Sequence, residues 1–320
     1  MLVAICGLAA AGAEGCQGEG RDLSAGRDGS AAGQAGAPAS GGVGGAASGV
    51  GGNAGRGGSA AGSSGIAGSS GVAGSSGVAG SAGLGGTSLC APGRYLLCEG
   101  FEGPIGTTPP TGWSRQGNAA IADDQAARGA HALKLTPAGD RGYGIFSYGN
   151  AKAFGAAHWG RLFYRVKTPP PDAFVHATMA AYKGDGPGIG AAAFRVADTV
   201  KMAAPTSTHQ FLYNVQISGA DEFGKGSSYN WTFDGAWHCA EWFVDGTNQA
   251  YRFFYDGTEV TEIRQQNGAG NYGSGADRTH LPTEFASLEV GWVTYQNAPP
   301  GFTAWIDEVA IDGNRIGCGN

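Results

Sequence analysis

Side chains of the types that move protons or neutralise charge recur on the polar sides of short alternating runs. They are Arg161 and Arg165, His176, Asn214 and Gln216, Arg252, Glu289 and Tyr295. Together they have the chemistry for cleaving a uronic acid polymer by β-elimination. Removing the ring proton beside a carboxylate requires that carboxylate's charge to be neutralised, a task for Arg, Asn or Gln. A base must take the proton and an acid must protonate the departing oxygen, and His and Tyr suit those tasks when their surroundings tune them. The reading assigns Arg161 and Asn214 (or Gln216) as neutralisers, His176 as base and Tyr295 as acid, with Arg165, Gln216, Arg252 and Glu289 holding the sugar. Each residue also has a structural role open to it. His176 is equally a half-buried strand histidine, Tyr295 a cap before the Asn297-Ala-Pro-Pro turn, and Arg252 a cross-strand partner of Glu241 or Glu289. The same set of side chains also serves binding without cleavage.

Such residues converge only if strands carry them. Leu162, Tyr164 and Val166 alternate with Arg161, Phe163 and Arg165, and Phe211, Tyr213, Val215 and Ile217 alternate with Gln210, Leu212, Asn214 and Gln216. Val175, Ala177 and Met179 alternate with His176 and Thr178, and Leu288, Val290 and Trp292 with Glu289 and Gly291. Period two puts each set on its own strand face. Many such runs bounded by Gly, Pro, Asn and Asp predict an all-β jelly-roll sandwich. The run Lys183-Gly-Asp-Gly-Pro-Gly-Ile-Gly190 lacks the Gly-Lys-Ser/Thr ending and the βαβ context of a phosphate loop, so it reads as a loop between strands.

The domain occupies only part of the chain. Of 61 glycines in 320 residues, 29 lie in residues 1–90, whereas all 32 aromatic residues lie from Tyr95 onward. A segment without aromatics buries too little apolar surface to offset the entropy of ordering it. The chain therefore divides into an apolar start (1–16), a Gly/Ala/Ser-rich linker (17–89) and one domain (90–320). Within the linker a six-residue period runs through Gly62-Ser-Ser-Gly-Ile-Ala67 and the two units that follow. A flexible linker of about 70 residues has a typical end-to-end distance of roughly 45 Å. The net charge of −6, with 17 Lys and Arg against 22 Asp and Glu from residue 91 on, argues against a nucleic-acid partner. A monomer is expected.

The run Leu2 to Ala13 has the length of a signal peptide and is too short to span a bilayer. It is followed by Gly15-Cys16, similar to a bacterial lipoprotein signal in which the cysteine is lipidated. Glu14 departs from that pattern, as does the lack of a Lys or Arg before the run. An extracellular or cell-surface location follows, with Cys16 as an outer-membrane lipid anchor. Cys90, Cys98, Cys239 and Cys318 suggest two disulfides. Cys98–Cys318 would clamp the ends of the domain, and Cys90–Cys98 is equally allowed.

Four short segments occur in a telling order: Leu97-Cys-Glu-Gly-Phe-Glu102, Gly129-Ala-His-Ala-Leu133, Trp237-His-Cys-Ala-Glu241 and Trp305-Ile-Asp-Glu-Val309. Jointly they resemble the concanavalin-like jelly rolls related to the fungal cellulose-induced protein and to glucuronan and alginate lyases, across residues 92–320. The resemblance implies a concave groove for a polysaccharide, acidic if the arginines line it. It also implies a structural calcium ion between the first and last strands, held by Glu102 and Asp307 with carbonyls from the loop Asp123 to Ala130. Calcium takes six to eight oxygen ligands, which suits that set. No intact lyase motif such as Gln-x-His is present, so the activity implied is less specific than the fold.

Overall fold

The computed structural model describes residues 84–167, 175–186, 189–202, 208–218, 222–266 and 280–319. The apolar start, Cys16 and the linker up to residue 83 lie outside the described residues. What is described is a two-sheet antiparallel sandwich, as the alternation predicts. In chain order the strands begin with β1 (Leu97–Glu99), β2 (Trp113–Gly117), β3 (Ala119–Ala122), β4 (Ala132–Leu135) and β5 (Tyr143–Tyr148). The long central strands follow: β6 (Ala157–Val166), β7 (Val175–Gly186), β8 (Gly190–Lys201) and β9 (Thr208–Ile217). Then come β10 (Glu222–Gly226), β11 (Trp231–Thr232), β12 (Trp237–Asp245), β13 (Ala250–Tyr255), β14 (Thr258–Glu259), β15 (Glu284–Thr294) and β16 (Ala304–Asp312).

One sheet runs β14-β13-β12-β6-β16-β4-β3, with β1 on β16; the other runs β10-β9-β8-β7-β15-β5-β2, with β11 on β9. The inner faces meet in one aromatic-rich core that includes Phe146, Tyr182, Phe194, Tyr213, Trp242 and Trp292. Glycine is required at 160, on β6 beside β12, because a Cβ there would stand 2.2 Å from the ring of the fully buried Trp242. The glycine-rich run after Lys183, read from the sequence as a loop, is strand over most of its length: β7 continues to Gly186 and β8 begins at Gly190.

The outer face of the first sheet is not a groove. Phe163, Trp237, Cys239 and Trp305 form a second apolar cluster there with Ala127 and Ala132, and Leu89 and Cys318 pack onto it. The segment at Leu89, the C-terminal tail at Cys318 and the 124–131 loop thus cover that face. Cys239–Cys318 pins the C-terminal tail to β12, and Cys90–Cys98 closes a small loop at the domain's start. Of the pairings the sequence left open, Cys90–Cys98 forms and the Cys98–Cys318 clamp does not. Two disulfides suit folding in an oxidising compartment. Among the described residues no helix is long and apolar enough to cross a membrane.

A cross-link restrains the unfolded chain more when it closes a longer loop. Cys239 and Cys318 are 79 residues apart and Cys90 and Cys98 only 8. Replacing the first pair by serine should therefore lower stability by about 3–5 kcal/mol, and replacing the second by clearly less. Chemical denaturation of the two double variants checks the order.

Candidate functional site

Among the described residues the outer face of the second sheet is open, and three neighbouring strands deform to build it. On β7, Met179 and Ala180 both enter the core, so Thr178 and Ala181 point outward three residues apart. On β8, Val196 and Ala197 do the same, so Arg195 and Asp198 are the successive outward residues. A register shift between Val290 and Val293 on β15 completes the set. Side-by-side bulges re-aim side chains out of strict alternation, which is their common use near sites.

Cross-strand register then lays out the face. Asn214, Arg195, Ala181 and Glu289 lie abreast on β9, β8, β7 and β15. On one side of that row are Asp198, Thr178 and Val293, and on the other Glu222, Gln216, Ala193 and Lys183. The small residues Ala181 and Ala193 leave a cavity of about 300 Å³, whose lining also includes Thr178, Arg195, Glu289 and Tyr295.

Bonded to Thr178 of that lining is the carboxylate of Asp198, itself fully buried and not part of the cavity wall. It accepts hydrogen bonds from His176 Nε2 (3.1 Å), Asn214 Nδ2 (2.8 Å) and Thr178 Oγ1 (2.7 Å). Burial pushes its carboxyl up, but the charge and hydrogen bond of His176, the charge of Arg195 and the Thr178 hydroxyl outweigh burial and hold it below its ordinary value. An ionised carboxylate only accepts, so Nε2 of His176 carries the proton shared with it. In the neutral ring the lone pair is then on Nδ1, the form a general base needs.

Tyr295 sits against this group. Its ring centroid is 4.5 Å from that of His176, and its amide donates to His176 O at 3.1 Å. The His176 amide donates to Gln296 Oε1 at 2.8 Å, so the two segments pin each other. The Tyr295 hydroxyl lies 2.9 Å from Thr178 Oγ1. Thr178 spends its one proton on Asp198, so the phenol is the donor in that contact. Burial pushes the Tyr295 phenol up to about 12, the positive charge of Arg195 working against it. The phenol is thus protonated at neutral pH. The Arg195 guanidinium lies 4.6 Å from the centroid of that ring.

Of the residues read from the sequence, His176, Tyr295, Asn214, Gln216 and Glu289 all belong to this sheet, and His176, Tyr295 and Asn214 meet around Asp198. Arg161, Arg165 and Arg252 do not join them, which corrects their assignment to the groove. Arg161 is buried under the chain ends, donating to Gly317 O and Glu308 O at 3.4 Å each and facing Glu308 Oε2 at 3.9 Å. Arg165 bonds Gln125 and lies over Trp305, and Arg252 pairs with Glu259 at 2.6 Å rather than with Glu241 or Glu289. All three are on the first sheet. The arginine that does serve the face is Arg195, and with Asp198, Thr178, Lys183 and Glu222 it went unread. Alternation around Phe194 and Val196 carries the signal for Arg195; the bulge that follows hides Asp198. Asn214 is also not a free donor group: its Nδ2 is held by Asp198, while its buried Oδ1 has no partner among the described residues.

The cations here are paired. Arg195 bonds Glu222, and Lys183 Nζ is 2.5 Å from Glu289 Oε1. With Asp198, the face holds more carboxylates than cations, so it is not the basic groove that three further arginines would have made.

Glu102 and Asp307 both grip the 127–131 loop. Asp307 Oδ2 accepts from the amides of Ala127 (2.8 Å) and Arg128 (3.1 Å), and Glu102 accepts from Ala130 at 3.0 Å. The loop presents amides, not the expected carbonyls, to these oxygens. Burial first, and the adjacent Glu308 charge after it, push the Asp307 carboxyl up to about 8 despite those amides. Glu308 Oε1 is buried without a partner among the described residues. This excess of buried oxygen and negative charge fits a hard cation. Among the described residues no ready-made cluster of three such ligands exists.

No family model matches the chain, and no curated protein matches it. Among solved structures it is similar to the cellulose induced protein Cip1, at 16% identity over 70% of this chain and 100% of that one, with a TM-score of 0.51. Fainter likenesses include a structure from work on endo-acting O-glycanases of the human gut microbiota (12% identity, 68% of this chain, 99% of that one, TM-score 0.46). Another is domain 4 of the arabinanase AbnA from Geobacillus stearothermophilus with arabinotriose (16%, 68%, 91%, TM-score 0.39). At these identities the likeness to Cip1 bears on the fold, which it shares, and the other two carry no argument.

The depressed Asp198 carboxyl has a pH signature. A carboxyl whose folded pKa is below its unfolded one adds stability above the ordinary carboxylate range, and that stability is lost as pH falls through the folded value. The stability gap between the protein and Asp198→Asn should be widest above about pH 4 and shrink below it. Urea melts of both proteins across that range check this; a gap independent of pH would contradict the assignment.

Proposed function

We propose that the outer face of the second sheet engages a polysaccharide and that His176 and Tyr295 cleave it there by β-elimination beside a uronate. The observation that carries this is the Asp198 network, which fixes a basic nitrogen of His176 next to a protonated phenol. Arg195 takes the sugar's carboxylate and stabilises the charge that develops as the neighbouring ring C–H is broken. The proton passes to His176 Nδ1, its electron pair becomes the new C=C bond, and the bond to the glycosidic oxygen breaks. Tyr295 supplies the proton for that oxygen; turning its hydroxyl about the C–O bond re-aims the proton from Thr178. Asn214 Oδ1 accepts a sugar hydroxyl.

A second reading, binding without cleavage, is favoured by the Arg195–Glu222 and Lys183–Glu289 pairs. They leave the face without net positive charge, as a module for weakly charged or neutral glycans would be. Absorbance of unsaturated uronate after incubation with glucuronan, alginate and pectate separates the two. The lyase reading expects a signal on one of them, lowered at least about 100-fold by His176→Ala and by Tyr295→Phe. Silence across the panel with glycan binding retained selects the binding module. Ala181→Trp, which fills the cavity, should abolish binding under either reading.

Calcium belongs to the same proposal as a structural element. Glu102 and Asp307 would hold it between the first and last strands, and it would take no part in the chemistry. Binding only to the folded state raises stability. Adding a chelator to the protein as isolated should lower Tm, and an unchanged Tm would count against the Glu102–Asp307 site. Cys16 as a lipid anchor and the linker ahead of Gly85 as a spacer would hold the domain away from the cell surface; the last residues of the linker as read, 85–89, are bonded to the domain through Gly86 O and Leu89 N.

A further inference from the structure

The cavity offers an incoming carboxylate one arginine, and that arginine already has a carboxylate partner. Arg195 lies on β8 with its side chain 13% exposed, against 37% for Glu222, to which it is bonded. Glu222 opens the edge strand β10 and stands opposite Gln216 on β9, while Arg195 stands opposite Asn214. The two therefore meet diagonally across β9. Opposite Asn214 on β10 is Gly224, so no side chain stands there; a Cβ would come 2.6 Å from Tyr213 O. Glu222 is thus the carboxylate at the rim, and Arg195, stacked on the Tyr295 ring, is the cation of the floor.

A sugar carboxylate that reaches Arg195 arrives beside Glu222. Either Glu222 leaves the guanidinium or two carboxylates share it, and like charges side by side at a binding surface cost affinity. We propose that Glu222 is a specificity-determining residue: the resting counter-ion of Arg195, which the carboxylate of a uronate must displace. It sets a threshold against anionic sugars that a neutral sugar does not meet. This rests on the reading of the face as a site for a uronate-bearing glycan.

The test is calorimetric binding to the full chain carrying Tyr295→Phe, which prevents turnover. The probes are hexasaccharides of glucuronan and alginate, with cellohexaose as the uncharged control. Glu222→Gln keeps the shape of the side chain, and its partly exposed edge position makes folding tolerant; Glu222→Ala provides a second check. The expected result is uronate binding about five- to tenfold tighter in both Glu222 variants, unchanged cellohexaose binding, and loss of uronate binding in Arg195→Gln. If Arg195→Gln weakens uronate binding but the Glu222 variants do not tighten it, the gate is overturned and the uronate site stands. If the Glu222 variants tighten cellohexaose equally, Glu222 acts as a steric obstacle and the gate is again overturned. If none of the substitutions changes uronate binding, the gate and the uronate site fall together.

Discussion

A carboxylate cut off from water must be surrounded by donors, and Asp198 imposes that constraint on the open face of this domain. Placing an ion in the interior costs several kcal/mol, and removing a partner from a buried pair costs about 3–5 kcal/mol, a large share of a domain's total stability of about 5–15 kcal/mol. His176, Thr178 and Asn214 each give Asp198 a hydrogen bond, and through them it orders three strands. The bulges of β7 and β8 are what bring Thr178 and Asp198 face to face. Tyr295 is placed in turn by Thr178 and by the backbone of His176. The tautomer of His176, the direction of the phenol proton and the orientation of the Asn214 amide all follow from one buried charge.

The two faces of the sandwich differ for an equally simple reason. Apolar and cationic side chains on the outer face of the first sheet are shielded by the chain ends. Arg161 is 1% exposed, and the Cys239–Cys318 bridge holds the tail over the cluster around Phe163 and Trp305. Among the described residues the second sheet has no such cover over Ala181 and Ala193, and the space above those two small residues is the cavity. Its paired ions, Arg195 with Glu222 and Lys183 with Glu289, keep the open face near neutral, so recognition there depends on hydrogen bonds and displacement of partners rather than on a strong field.

Much of this was legible in residue order, and what was not has identifiable causes. Alternation in β6, β7, β9 and β15 revealed the sandwich, and it put His176 and Asn214 outward because no bulge intervenes at those points. It also put Arg161 and Arg165 on the side of β6 away from the core, correctly, but period two cannot say which sheet a strand joins or what lies over it. Arg195 alternates with the core residues Phe194 and Val196 but over too short a run to stand out, and Asp198 lies beyond a bulge where spacing changes from two to three. Disulfide choice was likewise a matter of which ends meet in space: Cys318 returns to β12, which no spacing reveals. Glu102 and Asp307, read from the resemblance as calcium ligands alongside carbonyls of the 123–130 loop, both accept amides of that loop instead of joining its carbonyls.

The central claim is that the glycan lies on the outer face of the second sheet. Methyl NMR of alanine-labelled protein titrated with a uronate oligosaccharide tests it without relying on turnover. The account predicts that the methyl signals of Ala181 and Ala193 shift in a saturable way, while those of Ala127 and Ala132, under the chain ends on the other sheet, stay in place. Shifts at Ala127 and Ala132 with Ala181 and Ala193 unmoved would contradict it.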